Sequence, residues 1–413
     1  MSDIISKTGQ SLSPSRCLSP SPFPGNIAVL GASGSIGTAA LDVIAASQGV
    51  LRATALSVHR DTVKLAEAAR RFRPAVVVVA DPEADRTPLS RIPSETEVLF
   101  GPEALEKIAR RSDVDTVLCA IVGCAGLRSA LAAAEAGKTL ALANKESLVT
   151  AGELVMSAVR RCGGSLFPVD SEHSAIYQSL RGRSDIADPL STGQEVKSLV
   201  LTASGGPFKD RTAEELQYVT VEEALAHPTW KMGKKITIDS ATMMNKAFEL
   251  IEACWLFCIT PDQVKVMIHP QSVIHSMVEF VDSSVMAQLS PPDMRLPIQL
   301  ALYRGKRFSG PARGFNWRQP LSFEMTPIDE DRFPAIRLGR EVAARGGSCG
   351  VVVNAANEVA VDAFLSGRLS FNKIVAACQT VLEHHQFEAS PSLDRLFELD
   401  AWARRETIKW ISL

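Results

Sequence analysis

The chain has 413 residues, 46% of them hydrophobic and 22% charged, with a net charge of -2. That length exceeds one ordinary core, so two or three domains are expected, and the lack of any lysine- or arginine-rich block removes the electrostatic footprint of a nucleic-acid or anionic-membrane partner. No apolar run approaches the roughly 20 residues needed to cross a bilayer, and the eight cysteines stand without zinc-finger or redox spacing, as expected of thiols in a reducing cytoplasm.

Residues 1–24 hold seven serines and four prolines and no apolar core, which reads as a disordered leader. A bacterial N-terminus fits it better than a plastid transit peptide, since Lys7 and Arg16 are its only cations; the cytoplasm is therefore preferred to the plastid stroma. Order begins with the apolar run Ile27–Leu30, followed by Gly31-Ala-Ser-Gly-Ser-Ile-Gly37 and a helical stretch through Leu41, Val43 and Ile44: strand, glycine turn, helix. Further strand-like runs at Ala53–Leu56, Ala75–Ala80, Thr116–Ile121 and Thr139–Ala143 alternate with helix-length segments at Val63–Phe72, Pro102–Arg110 and Leu127–Ala136. That alternation builds a doubly wound parallel sheet.

After about residue 165 the pattern changes to strands of period two, at Val196–Thr202 and Ser272–Phe280, beside long helices. Cys254 and Cys258 share a helix face there and read as core filler. From Tyr303 to about Glu330 glycines and prolines recur without periodicity, as in a linker. Amphipathic spacing then returns in Ile336–Ala344, Ala355–Leu365, Ile374–Leu382 and Leu393–Trp410, with a short strand signal only at Gly350–Val353. The fold class expected is α/β: a Rossmann-like NADP-binding domain over 25–169, a central α+β catalytic domain over 170–302, a linker over 303–330 and a helical C-terminal domain over 331–413.

Gly31, Gly34 and Gly37 lie between a strand and a helix, where glycine permits a tight turn and a close approach to a pyrophosphate held at the helix N-terminus. An NAD site places an acid at the end of the second strand to bind the ribose; Ser57 stands there instead. His59 and Arg60 follow and could pair with a 2′-phosphate, so NADPH is preferred to NADH. Asp61 has a sufficient role as a helix N-cap.

In Phe167-Pro-Val-Asp-Ser-Glu-His173, Asp170 and Glu172 stand two apart at an apparent strand end, where extended geometry gives them one face. Crowded carboxylates want a cation between them, and oxygen-only ligands select Mg²⁺ or Mn²⁺ over zinc. A helix opening at Ser240 as N-cap would put Asn245 and Glu249 one turn apart beside Lys246, a set able to meet a metal and a polyol phosphate. Glu252 fits an ordinary solvated helix face. Leu201–Phe208 ends in Ser204 and two glycines, suited to phosphate, while His227-Pro-Thr-Trp-Lys-Met-Gly233 would suit a mobile lid.

Together the blocks GASGSIG, LANKESLV, PVDSEHSAIYQ, ASGGPF, HPTWKMGKKITIDSATMMNKAFELIEA, HPQSVIHSM, PPDMRLPIQLAL and NAANEVAV resemble the 1-deoxy-D-xylulose 5-phosphate reductoisomerase family from Ile27 to near the C-terminus. The resemblance implies metal ligation by Asp170, Glu172 and Glu249. It implies a substrate pocket of Lys145, Ser171, Glu172, Ser204, His227, Trp230, Ser240, Asn245, Lys246 and Glu249. For the cofactor it implies Ser33, Gly34, Ser35, Ile36, His59, Arg60, Asp61, Asn144, Glu146 and Gly233. The implied reaction is an NADPH- and Mg²⁺- or Mn²⁺-dependent rearrangement and reduction of 1-deoxy-D-xylulose 5-phosphate to 2-C-methyl-D-erythritol 4-phosphate, on the non-mevalonate route to isoprenoids, by a homodimer. The alternative is another NADP-dependent dehydrogenase acting on a small phosphorylated carbonyl compound, for which the carboxylates would be incidental.

Overall fold

The computed structural model describes residues 25–182, 190 and 192–412; the expected leader lies outside them. Valine-rich apolar runs bounded by turn residues form strands buried on both faces, and the first seven strands make one parallel sheet. They alternate with helices in chain order: β1 (Gly25–Leu30), α1 (Ser35–Ala46), β2 (Leu51–Val58), α2 (Thr62–Phe72), β3 (Val76–Val79), β4 (Glu97–Phe100), α3 (Glu103–Ala109), β5 (Thr116–Cys119), α4 (Leu127–Glu135), β6 (Thr139–Leu142), α5 (Glu146–Arg161) and β7 (Ser165–Pro168). The sheet order is β4-β3-β2-β1-β5-β6-β7. Strand order reverses between β1 and β5, and the crevice beyond the carboxyl ends of those two strands is where such sheets bind ligands.

Five further strands form a mixed sheet that shares its segment of chain with α6 (Ser171–Ser179), α7 (Val221–Leu225), α8 (Lys234–Thr242), α9 (Met244–Phe257) and α10 (Arg295–Leu302). The strands are β8 (Val196–Ala203), β9 (Val264–Ile268), β10 (Ile274–Phe280), β11 (Val285–Leu289) and β12 (Thr326–Pro327), in the order β11-β10-β8-β9-β12. No helix or strand lies between α10 and β12, which pairs antiparallel with β9. Four helices close the chain: α11 (Ala335–Arg345), α12 (Cys349–Leu365), α13 (Lys373–Glu383) and α14 (Leu393–Ile411).

Three local expectations fail. Gly350–Val353 is not a strand but the first turn of α12, where Cys349 through Asn357 are all buried among neighbouring helices; valine's preference for strands yields to that burial. Ser240 does not cap a helix: it lies in the last turn of α8, and the chain breaks at Met243, a left-handed residue (φ 64°) that joins α8 to α9. Cys258 is exposed at the end of α9, so of the two cysteines there only half-buried Cys254 fills space. Among the described residues, no helix is long and apolar enough to cross a membrane.

Candidate active site

The glycine turn after β1 is shaped by crowding. Gly31 has φ +89° and a Cβ there would lie 2.6 Å from the Ala120 carbonyl oxygen, while a Cβ on Gly37 would collide with the Gly31 carbonyl. Ser57 is 1% exposed, and its hydroxyl accepts the Gly31 amide at 3.1 Å. It is thus spent on the turn, which leaves no acid for a ribose hydroxyl. Gly34 precedes α1, and no side chain caps that helix; its amides and dipole are disposed toward an anion.

Gly34, Ser35 and Ile36 open onto a cleft of about 880 Å³. Asn144, Lys145 and Glu146 line it, as do Asp170, Ser171, Glu172, Asn245, Lys246 and Glu249. Ser204, His227, Trp230, Gly233 and Ser240 complete the wall. Ser33, His59, Arg60 and Asp61 do not line this cleft. The Arg60 guanidinium pairs with Asp81, His59 stands 4.0 Å from the same carboxylate, and Asp61 caps α2 by accepting the Lys64 amide at 3.0 Å.

Asp170 and Glu172 converge, although not in extended geometry. Asp170 is the N-cap of α6, accepting the amides of Glu172 and His173 at 3.0 and 3.4 Å, and Glu172 sits in the first helical turn. Glu249 reaches them from α9, and one carboxylate oxygen from each of the three residues lies within 4.8 Å of the others. Lys145 Nζ, carried just before α5, donates to Asp170 at 2.6 Å, Asn245 at 2.9 Å and Glu249 at 3.1 Å. Lys246 pairs with Glu249 and stands 3.8 Å from Glu172. Asn245 donates to Glu249 at 2.6 Å, and Ser171 donates to Glu172 at 2.7 Å.

These charges decide one another's protonation. Burial works against the carboxylate of Asp170 and is the largest single influence, but Lys145, His173 and Lys246 together outweigh it and hold the pKa well below the usual range. Glu172 is pushed up to about 8 by burial, which Lys246 only partly opposes while Glu249 and Asp170 add to it. The two differ because Lys145 bonds Asp170 directly and no ammonium is that close to Glu172. Lys145 is drawn down by burial, yet Asp170 and Glu249 keep it firmly protonated.

The remaining wall is built for oxygen-rich ligands. His227 Nδ1 accepts the amides of Thr229 and Trp230 at 3.2 and 2.9 Å, so the ring's proton is on Nε2, 3.0 Å from Ser204 Oγ. Burial lowers the His227 pKa. Asn144 is held in place: its amide donates to Gly123 at 2.8 Å and its oxygen accepts the Ser147 amide at 2.8 Å.

Sequence reasoning passed over several cleft residues. Lys235 bridges Glu146 at 3.3 Å and Asp239 at 2.7 Å, and Asp239 accepts Asn357 of α12 at 2.8 Å. Met294, Arg295 and Arg313 also line the cleft. The Pro291-Pro292 pair before α10 was the available signal for an irregular segment there. Glu252, expected on a solvated face, is instead 1% exposed, because the polar face of α9 turns toward α6 and not toward water.

Three family models match this chain: 1-deoxy-D-xylulose 5-phosphate reductoisomerase over residues 27–152, the C-terminal domain of that enzyme over 166–257, and the DXP reductoisomerase C-terminal domain over 289–406. The 1-deoxy-D-xylulose 5-phosphate reductoisomerase of Rhodopirellula baltica is 47% identical, with 92% of this chain and 93% of that protein covered. The chain belongs to the 1-deoxy-D-xylulose 5-phosphate reductoisomerase family. The reductoisomerase of Geobacillus kaustophilus is 48% identical over 92% of this chain and 97% of that one. A solved reductoisomerase from Zymomonas mobilis in complex with NADPH superposes with a TM-score of 0.85 at 42% identity, covering 94% of this chain and 99% of that one. Another, in complex with NADPH, fosmidomycin and magnesium, gives 0.87 at 40% identity, covering 94% and 98%. The reductoisomerase fold is therefore that of this chain.

Proposed function

We propose that this chain rearranges the carbon skeleton of 1-deoxy-D-xylulose 5-phosphate and reduces the product with NADPH to 2-C-methyl-D-erythritol 4-phosphate. The observation that carries this reading is the meeting of Asp170, Glu172 and Glu249 in the same cleft that the uncapped N-terminus of α1 lines. A plain dehydrogenase has no use for three carboxylates facing its substrate.

The residues fit a divalent cation. Three carboxylates lie within reach of one another, and the ammoniums of Lys145 and Lys246 already balance them. The all-oxygen set selects Mg²⁺ or Mn²⁺. When bound, the metal supplies Lewis acidity toward a ketone and its neighbouring hydroxyl, and NADPH supplies the hydride. The cleft fits the dinucleotide too, with Gly34, Ser35 and Ile36 at the helix N-terminus for the pyrophosphate and Asn144, Glu146 and Gly233 nearer the chemistry.

The chain's own groups do the rest. Lys145 donates to substrate oxygens and balances negative charge that develops during the carbon–carbon rearrangement. Ser204, Ser240, Asn245, Lys246 and the Nε2–H of His227 hold the phosphate; Ser171 and Glu172 sit beside the hydroxyls. Trp230, half-buried on the lid, packs over the carbon skeleton and excludes water. Arg60 and His59 stand just beyond the end of β2 for the 2′-phosphate, with Ser33 in the glycine turn and Asp61 at the cap of α2 nearby in the chain.

A homodimer in the cytoplasm completes the proposal. β11 is a sheet edge with Val285 51% and Met286 55% exposed, and such an edge is blunted when a second copy covers it. Light scattering of wild type and Met286→Glu tests this: a dimer that weakens in the variant is expected, and a monomeric wild type would contradict it.

The function itself is tested by following NADPH oxidation with 1-deoxy-D-xylulose 5-phosphate, with and without a chelator. Oxidation that stops on chelation and returns with Mn²⁺ is expected. Oxidation indifferent to chelation would return the chain to the plain dehydrogenase reading.

A further inference from the structure

The two helices that bring the carboxylates together are also tied to each other beneath the site. Each carries a cleft carboxylate and, three residues on, a second polar group: Asp170 with His173 at the start of α6, Glu249 with Glu252 in α9. That spacing keeps both members on one face. His173 is 0% exposed and Glu252 1%. His173 Nε2 lies 2.9 Å from the Glu249 carbonyl oxygen; a carbonyl only accepts, so Nε2 carries the proton. The other nitrogen, Nδ1, stands 3.1 Å from Asp170 Oδ1 and 3.1 Å from Glu252 Oε2; two carboxylates are met only by a donor, so Nδ1 carries a proton as well and the ring is an imidazolium.

We propose that Glu252 is a positioning residue for the metal ligands, acting through His173 to fix the Asp170 carboxylate against the Glu249 backbone. This rests on reading Asp170, Glu172 and Glu249 as ligands of a divalent cation. Glu252 points at no substrate, since it does not line the cleft, and its Oε2 has no directional hydrogen-bond partner among the described residues. Its approach to His173 is an ion-pair distance without good hydrogen-bond direction, so it acts on the ring as a charge.

A purely structural role explains Glu252 poorly. Its neighbours Leu250, Ile251, Ala253 and Leu256 are all buried, and a hydrophobic side chain among them would avoid the desolvation of a carboxylate. What the carboxylate adds is direction. One side of His173 is walled by Phe257, with ring centroids 6.2 Å apart, and Glu252 draws Nδ1 to the Asp170 side. Asp170 is then held on both oxygens, by the charge of His173 on Oδ1 at 3.1 Å and by the hydrogen bond from Lys145 on Oδ2 at 2.6 Å. Groups outside the ligand set that orient ligands commonly change metal affinity about 10–100-fold when altered.

The test is Mn²⁺ binding, measured by electron paramagnetic resonance on substrate-free protein, for wild type, Glu252→Gln, Glu252→Asp and Glu249→Gln. NADPH affinity is measured alongside to report folding. The expected result is a Kd for Mn²⁺ weakened roughly tenfold or more in Glu252→Gln, partly restored in Glu252→Asp, with NADPH affinity unchanged. In turnover assays the Mn²⁺ concentration for half-activation shifts by the same factor, while kcat at saturating Mn²⁺ stays within a few-fold. Wild-type Mn²⁺ affinity in folded Glu252→Gln overturns the proposal. Should that variant not fold, His173→Gln, which removes the ring through which Glu252 acts, is decisive, and wild-type affinity there overturns it equally. If wild type and Glu249→Gln bind Mn²⁺ alike, the ligand reading itself has failed, and the inference falls with it.

Discussion

Lys145 Nζ lies 3.1 Å from Glu249 Oε1 across 104 residues of sequence, joining the loop after β6 to a helix of the central layer. The Lys145 side chain is 9% exposed and that of Glu249 1%, so the pair is shielded from solvent screening. Lys145→Met leaves Asp170 without its nearest counter-ion and Glu249 with Lys246 alone, which costs about 3–5 kcal/mol. Urea unfolding of the metal-free proteins should show that loss, and Mn²⁺ should recover part of it while turnover stays abolished. Unchanged stability would remove Lys145 as the counter-ion.

NADPH should be preferred to NADH, and the preference should depend on Arg60. Its side chain is 68% exposed and paired with Asp81 through Nε, which leaves the rest of the guanidinium to meet a 2′-phosphate. Arg60→Ala should raise KM for NADPH roughly tenfold or more and leave KM for NADH unchanged. Equal loss with both cofactors would place the 2′-phosphate elsewhere.

Residues 227–233 are expected to close over the substrate, with Trp230 as reporter. The lid's base is fixed by the amides bonded to His227 Nδ1, and its tip rests with Trp230 6.3 Å from the His275 ring. A substrate-like phosphonate should change Trp230 fluorescence and protect the segment from protease. Neither change at saturation would mean the segment is no lid.

His275 should make the metal-free fold acid-sensitive. Burial pushes its pKa down to about 4 from 6.5, with the Ser290 carbonyl opposing. A depressed histidine refuses a proton that the unfolded chain accepts, so its contribution is complete above pH 6.5 and is lost as pH falls toward 4. The loss is on the order of 3 kcal/mol across that window. His275→Gln should flatten the stability profile there; an identical profile would assign the acid sensitivity to other groups.

Much of this was legible in the sequence because short apolar runs and glycine turns impose parallel strands and a dinucleotide crevice. β4 was not, since Glu97–Phe100 is a four-residue edge strand with no full alternation. The site was legible in its residue types but less so in its geometry. Asp170 and Glu172 converge through a helix cap and not an extended strand, and Ser240 and Glu249 lie on separate helices because Met243 turns left-handed. Those outcomes depend on backbone states that residue spacing does not encode. Glu252 was misjudged for a related reason: periodicity finds a polar face but does not say whether water or another helix meets it.

The most direct measurement is a thermal melt of wild type and Glu249→Gln, each with and without Mn²⁺. Three carboxylates that converge on a cation should make the wild type more stable when the metal is added, by mass action. In Glu249→Gln that gain should vanish along with turnover, while NADPH affinity, which the proposed function assigns to the α1 N-terminus, stays the same. An equal Mn²⁺-induced shift in both proteins, with turnover retained in the variant, would contradict the placement of the active site at Asp170, Glu172 and Glu249.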